Sequence, residues 1–180
     1  MDPSWHLILD LDGTLVHSDE KSTQFRPYLK EFFDYCFANF AHVSLWSASE
    51  PAWVYPIIDQ FKDKLSIPDF HFVWAGYKVT YRPISMGRFR NDGHEYLAKK
   101  IKKVCKAFPE YTRENTLILD DTPETYRYNY GNAIGINSWT GDPDDREFLL
   151  LIQELESWRK MFVETGTVRH IFNHSRPLYF

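Results

Sequence analysis

The 180-residue sequence predicts a single α/β domain: a mostly parallel sheet with helices on both faces and a small β-hairpin insertion. Three observations lead there. Apolar periodicity switches repeatedly between short strand-like runs and longer runs with helical spacing, as a sheet built through helical crossovers requires. Three of the apolar runs end in polar chemistry, at Asp10, at Ser47 and at Asp120-Asp121. Aromatic residues make up 17% of the chain, which supplies many large side chains for a core.

Taken in order, residues 5–10 (WHLILD) read as the first buried strand. Over 27–40, Leu29, Phe32, Phe33, Cys36, Phe37 and Phe40 recur at helical spacing, and Pro27 suits a first helical position. Residues 42–46 (HVSLW) form a second strand. A helix carrying Trp53, Val54, Ile57, Ile58 and Phe61 follows, bent or started by Pro56. The stretch 70–82 (FHFVWAGYKVTYR) breaks the rhythm. Its two β-rich runs flank Ala75-Gly76 and predict a hairpin, inserted near 66–92. A helix resumes near His94 with Leu97, Ile101, Val104, Cys105 and Phe108 on one face. Residues 116–120 (TLILD) are a third buried strand, and 133–136 a short fourth. A last helix, over roughly 144–162, buries Phe148, Leu149, Ile152, Leu155 and Trp158. No repeat or long linker divides residues 1–180, so one domain is expected.

Bulk properties narrow the function. A formal net charge of −4 gives no electrostatic footprint for a nucleic-acid partner. Cys36 and Cys105 fall in apolar helical patterns and read as reduced, buried thiols. Residues 1–18 lack the basic flank and long apolar core of a signal peptide, and no run approaches ~18 apolar residues. An intracellular protein, cytosolic or nuclear, with no membrane contact is expected. The seven histidines show no metal-ligand spacing.

In open parallel sheets ligands lie beyond the carboxyl ends of the strands, so the three polar ends can converge on one site. Four carboxylates gathered there (Asp10, Asp12, Asp120 and Asp121) repel strongly unless something compensates them. A hard divalent cation with oxygen ligands does so, and Mg²⁺ fits a site of few carboxylates plus a phosphoryl group. Ser47, opening the turn SASEP, can donate to phosphate oxygens or cap the next helix, and the two uses are compatible. The run AKKIKKVCK offers lysines to offset the remaining charge, though most of them belong to a solvated helix face. The plainer alternatives are an Asp-Gly turn at the end of the first strand and a helix cap at Asp121. Trp74, Tyr77 and Tyr81 form either a platform for a proline-containing peptide or ordinary hairpin packing.

The residues DLDGT from Asp10, VSLWS ending at Ser47 and LILDD ending at Asp121 resemble, in order, the first, second and fourth motifs of the haloacid dehalogenase superfamily of phosphotransferases. Finer stretches resemble one branch, the small carboxy-terminal-domain phosphatases of the FCP/SCP type, which act on the tail of RNA polymerase II. RPYLKEF is similar to that branch's RPxxxEF, and SASEPAWVYPIID to TASxxxYAxPVLD. DDTPETY is similar to DNSPxSY, and NAIGINSW to NAVPVxSW. The similarity covers most of residues 5–155, with a departure at Asp121, where many relatives have Asn.

The resemblance implies roles. Asp10 is the nucleophile that forms an aspartyl-phosphate, and Asp12 is the general acid and later the base. Thr14 steadies the loop, and Ser47 binds phosphate oxygens. Mg²⁺ is held by Asp10, the Asp12 main-chain carbonyl, Asp120 and Asp121. Set against the branch's YVKDLxxL, LAKKIKKV puts Lys99 on the third motif, with Lys100 one register away. Arg82, Arg88 and Arg90 are either contacts for a phosphopeptide, Arg82 foremost, or plain surface charge. The implied function is a Mg²⁺-dependent protein serine/threonine phosphatase acting on phosphopeptides like the polymerase tail. The rival readings are a phosphatase of nucleic-acid 3′-phosphates or small phosphate esters, and a non-catalytic adaptor on the same fold.

Overall fold

The computed structural model describes residues 4–18, 22–86, 90–129 and 131–169, with residues 81–96 as backbone only. A five-stranded sheet runs in the order β5-β4-β1-β8-β9. Its strands are β1 (His6–Leu9), β4 (His42–Trp46), β5 (Val73–Trp74), β8 (Thr116–Asp120) and β9 (Ala133–Gly135), and every pairing among them is parallel. Strand β1 lies at the centre, with Leu9 opposite both Leu45 and Leu119. The segments that follow the three central strands therefore leave the sheet side by side.

Both faces of the sheet are covered, and side-chain alternation shows why. Leu7, Leu9, Val43, Leu45, Leu117 and Leu119 point to one side, against α1 (Leu29–Asn39), α2 (Pro51–Leu65) and α5 (Glu147–Thr165). Ile8, Trp46 and Ile118 point to the other, against α3 (Ile101–Ala107) and α4 (Pro123–Tyr126). Strands buried on both faces have to be apolar throughout, which is why they read as short continuous runs. Helix α2 buries Val54, Ile57, Ile58 and Phe61 and takes Pro51 at its start, so Pro56 lies inside it rather than opening it. Cys36 is buried and Cys105 half-buried, and both are free thiols.

Two expectations need correction. Ala75-Gly76 is not a hairpin tip: β5 joins the main sheet beside β4, and Gly76–Lys78 is a 3-10 turn. The hairpin comes later, as β6 (Thr80–Met86) paired antiparallel with β7 (Arg90–Ala98). The helix expected near His94 consequently starts at Ile101, because pairing with β6 keeps the chain extended through Ala98. Leu97 fits both periods, so only the long-range partner decides. A further pair, β2 (Val16–Ser18) with β3 (Thr23–Phe25), was not expected; three-residue strands leave almost no period to read.

Arg26 ties this outer pair to the body of the fold. Its buried guanidinium donates to both carboxylate oxygens of Asp145, at 3.0 and 2.8 Å, and to the carbonyls of Thr14 and Asn137. That bidentate pair holds the Asp145 carboxyl below its usual range despite partial burial. Beyond α5, Val168 is buried and its N–H donates to the Glu114 carbonyl, so the start of the 166–180 tail packs on the domain. Residues 170–180 lie outside the described part.

Candidate active site

The site forms where β1, β4 and β8 end. Asp10 follows β1 and is 6% exposed; Asp120 closes β8 and is fully buried. Between them lies Lys99, 1% exposed, whose ammonium donates to Asp10 Oδ1 and, at 2.8 Å, to Asp120 Oδ2. Thr14 is buried and donates its hydroxyl to Asp10 Oδ2 at 3.2 Å. Asp120 Oδ1 accepts the Thr122 N–H at 2.9 Å, which fixes its second oxygen. Carboxylate oxygens of Asp10, Asp120 and Asp121 all lie within 4.8 Å of one another.

Gly13 permits this closeness. Its φ of +76° is one that L side chains rarely adopt, and a Cβ there would meet Asp121 Oδ2 at 2.4 Å. The glycine of DLDGT is therefore needed both for the turn and for the approach of the last acid.

Asp12 is two residues from Asp10 in sequence but in different surroundings. It is half-buried, and its carboxylate accepts Ser47 Oγ at 3.3 Å and Ser49 Oγ at 2.7 Å on Oδ2, and Trp53 Nε1 at 2.7 Å on Oδ1. Its side chain is not among the three clustered acids, and the ligand expected from it is the main-chain carbonyl. Ser47 is fully buried and also accepts the Ser49 N–H at 2.9 Å.

Burial pushes the Asp10 carboxyl up; Lys99 opposes this, and Asp120 and Asp121 reinforce it. For Lys99, burial alone would depress the ammonium, but Asp10 and Asp120 hold it above its ordinary range. One lysine faces three carboxyl groups, so with all three ionised the cluster carries an excess of negative charge. An all-oxygen donor set with that excess fits a hard divalent cation such as Mg²⁺, held by Asp10, Asp120 and Asp121.

Of the residues expected from the sequence, the fold brings Asp10, Thr14, Lys99, Asp120 and Asp121 into one cluster, with Asp12 and Ser47 beside it. Lys100 instead places its ammonium 4.1 Å from the centre of the Tyr128 ring. Arg82 and Arg90 lie in the hairpin with their side chains outside the described part, as does Arg88 entirely. Trp74 is core, 7% exposed, whereas Tyr77 is 59% exposed; the Tyr81 side chain lies outside the described part.

Three neighbours were not read from the sequence. Asn129 donates to the Lys99 carbonyl at 2.5 Å and accepts the Ile101 N–H at 3.0 Å, so it holds the backbone that presents Lys99. Ser49 and Trp53 hold Asp12. Trp53 stands one position off the buried stripe Val54-Ile57-Ile58-Phe61, and that offset was the available signal.

The amino ends of the strands carry a second cluster. His42, His71 and Glu110 place possible ligand atoms within 4.8 Å, although their sequence spacing gave no hint of it. The His42 and His71 rings stack at 3.9 Å, however, and stacked rings direct their in-plane lone pairs along parallel planes that do not meet. Both His71 nitrogens are also engaged, by the Tyr111 hydroxyl at 3.1 Å and Glu110 at 3.3 Å.

A parallel sheet with clustered acids and the buried Lys99 at its carboxyl edge is the arrangement that the resemblance in the sequence implied. The chain belongs to the NLI interacting factor-like phosphatase family, whose family model matches residues 5–165. A relative named "Probable C-terminal domain small phosphatase" from Dictyostelium discoideum is 26% identical over 94% of this chain and 54% of its own length. "Putative CTD phosphatase-like protein 355R" of Invertebrate iridescent virus 6 is 26% identical over 79% of this chain and 90% of its own. "Nuclear envelope morphology protein 1" of Saccharomyces cerevisiae is 28% identical over 85% and 39%. The chain thus spans about half of the first of these relatives and less of the yeast protein. The solved structure titled "The Structure of Fcp1, an essential RNA polymerase II CTD phosphatase" shares the fold, with a TM-score of 0.54 at 13% identity. It covers 98% of this chain and 56% of that one.

Proposed function

We propose that the chain is a Mg²⁺-dependent phosphatase of phosphoserine and phosphothreonine in extended peptides, of the kind carried by the RNA polymerase II C-terminal domain. The observation that carries this reading is the split between the two carboxylates of DLDGT. Asp10 is buried against Lys99, while the donors to Asp12 among the described residues are all neutral. Paired carboxylates in contrasting surroundings suit separate tasks.

In the first step an Asp10 carboxylate oxygen attacks phosphorus, the bond from phosphorus to the seryl oxygen breaks, and Asp12 gives that oxygen its proton. In the second, a water oxygen attacks phosphorus, Asp12 takes the water proton, and the Asp10–phosphorus bond breaks to release phosphate. Lys99 keeps Asp10 aimed for attack and opposes the upward push of burial on its carboxyl, and Ser47 meets the phosphate oxygens. Asp10, Asp120 and Asp121 would hold Mg²⁺, which would supply charge stabilisation for the transferring group.

The exposed aromatics Trp53, on Asp12, and Tyr77, next to Gly76 whose N–H donates to the Ser49 carbonyl, support a peptide substrate rather than a small metabolite. No helix among the described residues is long and apolar enough to cross a membrane. An intracellular setting, cytosol or nucleus, is part of the same reading, and relatives named for the nuclear envelope support the second.

The test is phosphate release, with and without Mg²⁺, from a phosphoserine peptide of the polymerase-tail repeat, a phosphotyrosine peptide and a 3′-phosphorylated oligonucleotide. Asp10→Asn serves as the blank. Mg²⁺-dependent release from the phosphoserine peptide, lost in Asp10→Asn, is expected. Preference for the oligonucleotide would move the function to nucleic-acid ends, and near-wild-type turnover by Asp10→Asn would sink the mechanism.

A further inference from the structure

Two side chains touch Asp12 without a part in the chemistry above. Ser49 Oγ shares Asp12 Oδ2 with Ser47, and Trp53 Nε1 donates to Oδ1. A carboxylate offers about four lone-pair sites. Among the described residues two donors occupy Oδ2 and one occupies Oδ1, which leaves a single site open, on Oδ1. Trp53 stands in the first turn of α2 and is 37% exposed, off the helix's buried stripe. Core packing therefore does not account for it. Its one polar side-chain atom donates to the Asp12 oxygen that the two serines do not touch. Ser49 is fixed in turn by its own N–H on Ser47 Oγ and its carbonyl on the Gly76 N–H at 2.7 Å.

We propose that Ser49 and Trp53 are positioning residues that stop the Asp12 carboxylate from rotating, so that its one open site faces the leaving oxygen. This rests on Asp12 acting as the general acid. A carboxylate gripped on one oxygen by serines alone can still swing its other oxygen; the indole N–H removes that freedom. Proton transfer depends on such alignment, and misplacement lowers its contribution.

The test uses substituted phenyl phosphates of matched size, p-nitrophenyl phosphate among them and phenyl phosphate as the poorest leaving group. The quantity measured is kcat/KM, which covers steps only through departure of the phenol. Trp53→Phe keeps a ring and deletes the donor; Ser49→Ala is the second variant, and urea unfolding confirms that each folds. A poor leaving group needs the proton most. Each variant is expected to lose about tenfold on phenyl phosphate, the order one charge-assisted hydrogen bond carries, and under about twofold on p-nitrophenyl phosphate. The dependence on leaving-group acidity thus steepens. An unchanged slope in both folded variants, whether every ester falls equally or none does, overturns the proposal: it would mean general structural support or peptide docking. No turnover of any ester by the wild-type chain would overturn the phosphatase reading itself.

Discussion

Replacing Gly13 with alanine tests how the site is assembled. The new Cβ would stand 2.4 Å from Asp121 Oδ2, well inside the 3.0 Å that real Cβ contacts respect, and 3.0 Å from its Cγ. The carboxylate oxygen must then retreat by at least 0.6 Å (3.0 − 2.4), while the Ser138 hydroxyl, at 2.7 Å, can rotate away. Metal–oxygen distances tolerate only about 0.2 Å. Asp121 would therefore leave the position it shares with Asp10 and Asp120. Displacing a group on which metal geometry depends costs about 10–100-fold in metal affinity. The backbone adds a second effect, because a φ of +76° costs an L residue about 1–2 kcal/mol. Phosphate release titrated with Mg²⁺ should show half-saturation moved up by that factor, and urea unfolding without Mg²⁺ should show the stability loss. Destabilisation with an unchanged Mg²⁺ requirement would remove Asp121 from the ligand set. Wild-type behaviour in both assays would refute the close-approach reasoning.

Two other outcomes are expected. Lys99→Met leaves the buried Asp10 and Asp120 without their shared cation, which should cost about 3–5 kcal/mol in urea unfolding without Mg²⁺ and lower turnover at least about 100-fold; Mg²⁺ should return part of the stability, and an unaffected variant would contradict the pairing. His6, buried between the His42 and Tyr111 rings, is pushed down to about 4 by burial and by His42, from an ordinary 6.5. The unfolded chain therefore binds this proton first as pH falls, so stability is full above pH 6.5 and drains away toward pH 4. Between pH 7 and 4.5 the loss is about 2 kcal/mol, and His6→Phe should flatten that part of the profile. Superimposable profiles would assign the loss to other groups.

Much of the fold could be read from short windows. TLILD and HVSLW announced themselves as strands because a parallel sheet buried on both faces needs uninterrupted apolar runs, and α1 showed its stripe within a few turns; α5 was expected as a helix, but it buries Leu151 and Phe162 where Leu149 and Ile152 were expected. The hairpin was misplaced because Leu97 and its neighbours satisfy two periods at once, and pairing with a strand more than ten residues away breaks the tie. The acids at the strand ends were legible for the same local reason as the strands: charge abruptly ending an apolar run is visible without any neighbour.

What the sequence by itself determined is the inventory of the site: a turn glycine beside two aspartates, a serine and a second acid pair at the ends of parallel strands. Only the tertiary structure decided which lysine meets Asp10, since Lys99 and Lys100 are adjacent on the chain. One is swallowed between two carboxylates while the other lies on Tyr128. It likewise separated Asp10 from Asp12, burying one against a cation and handing the other to Ser49 and Trp53. Burial and hydrogen-bond partners come from residues 21 to 89 positions apart, and no periodicity in the chain encodes where such distant groups meet.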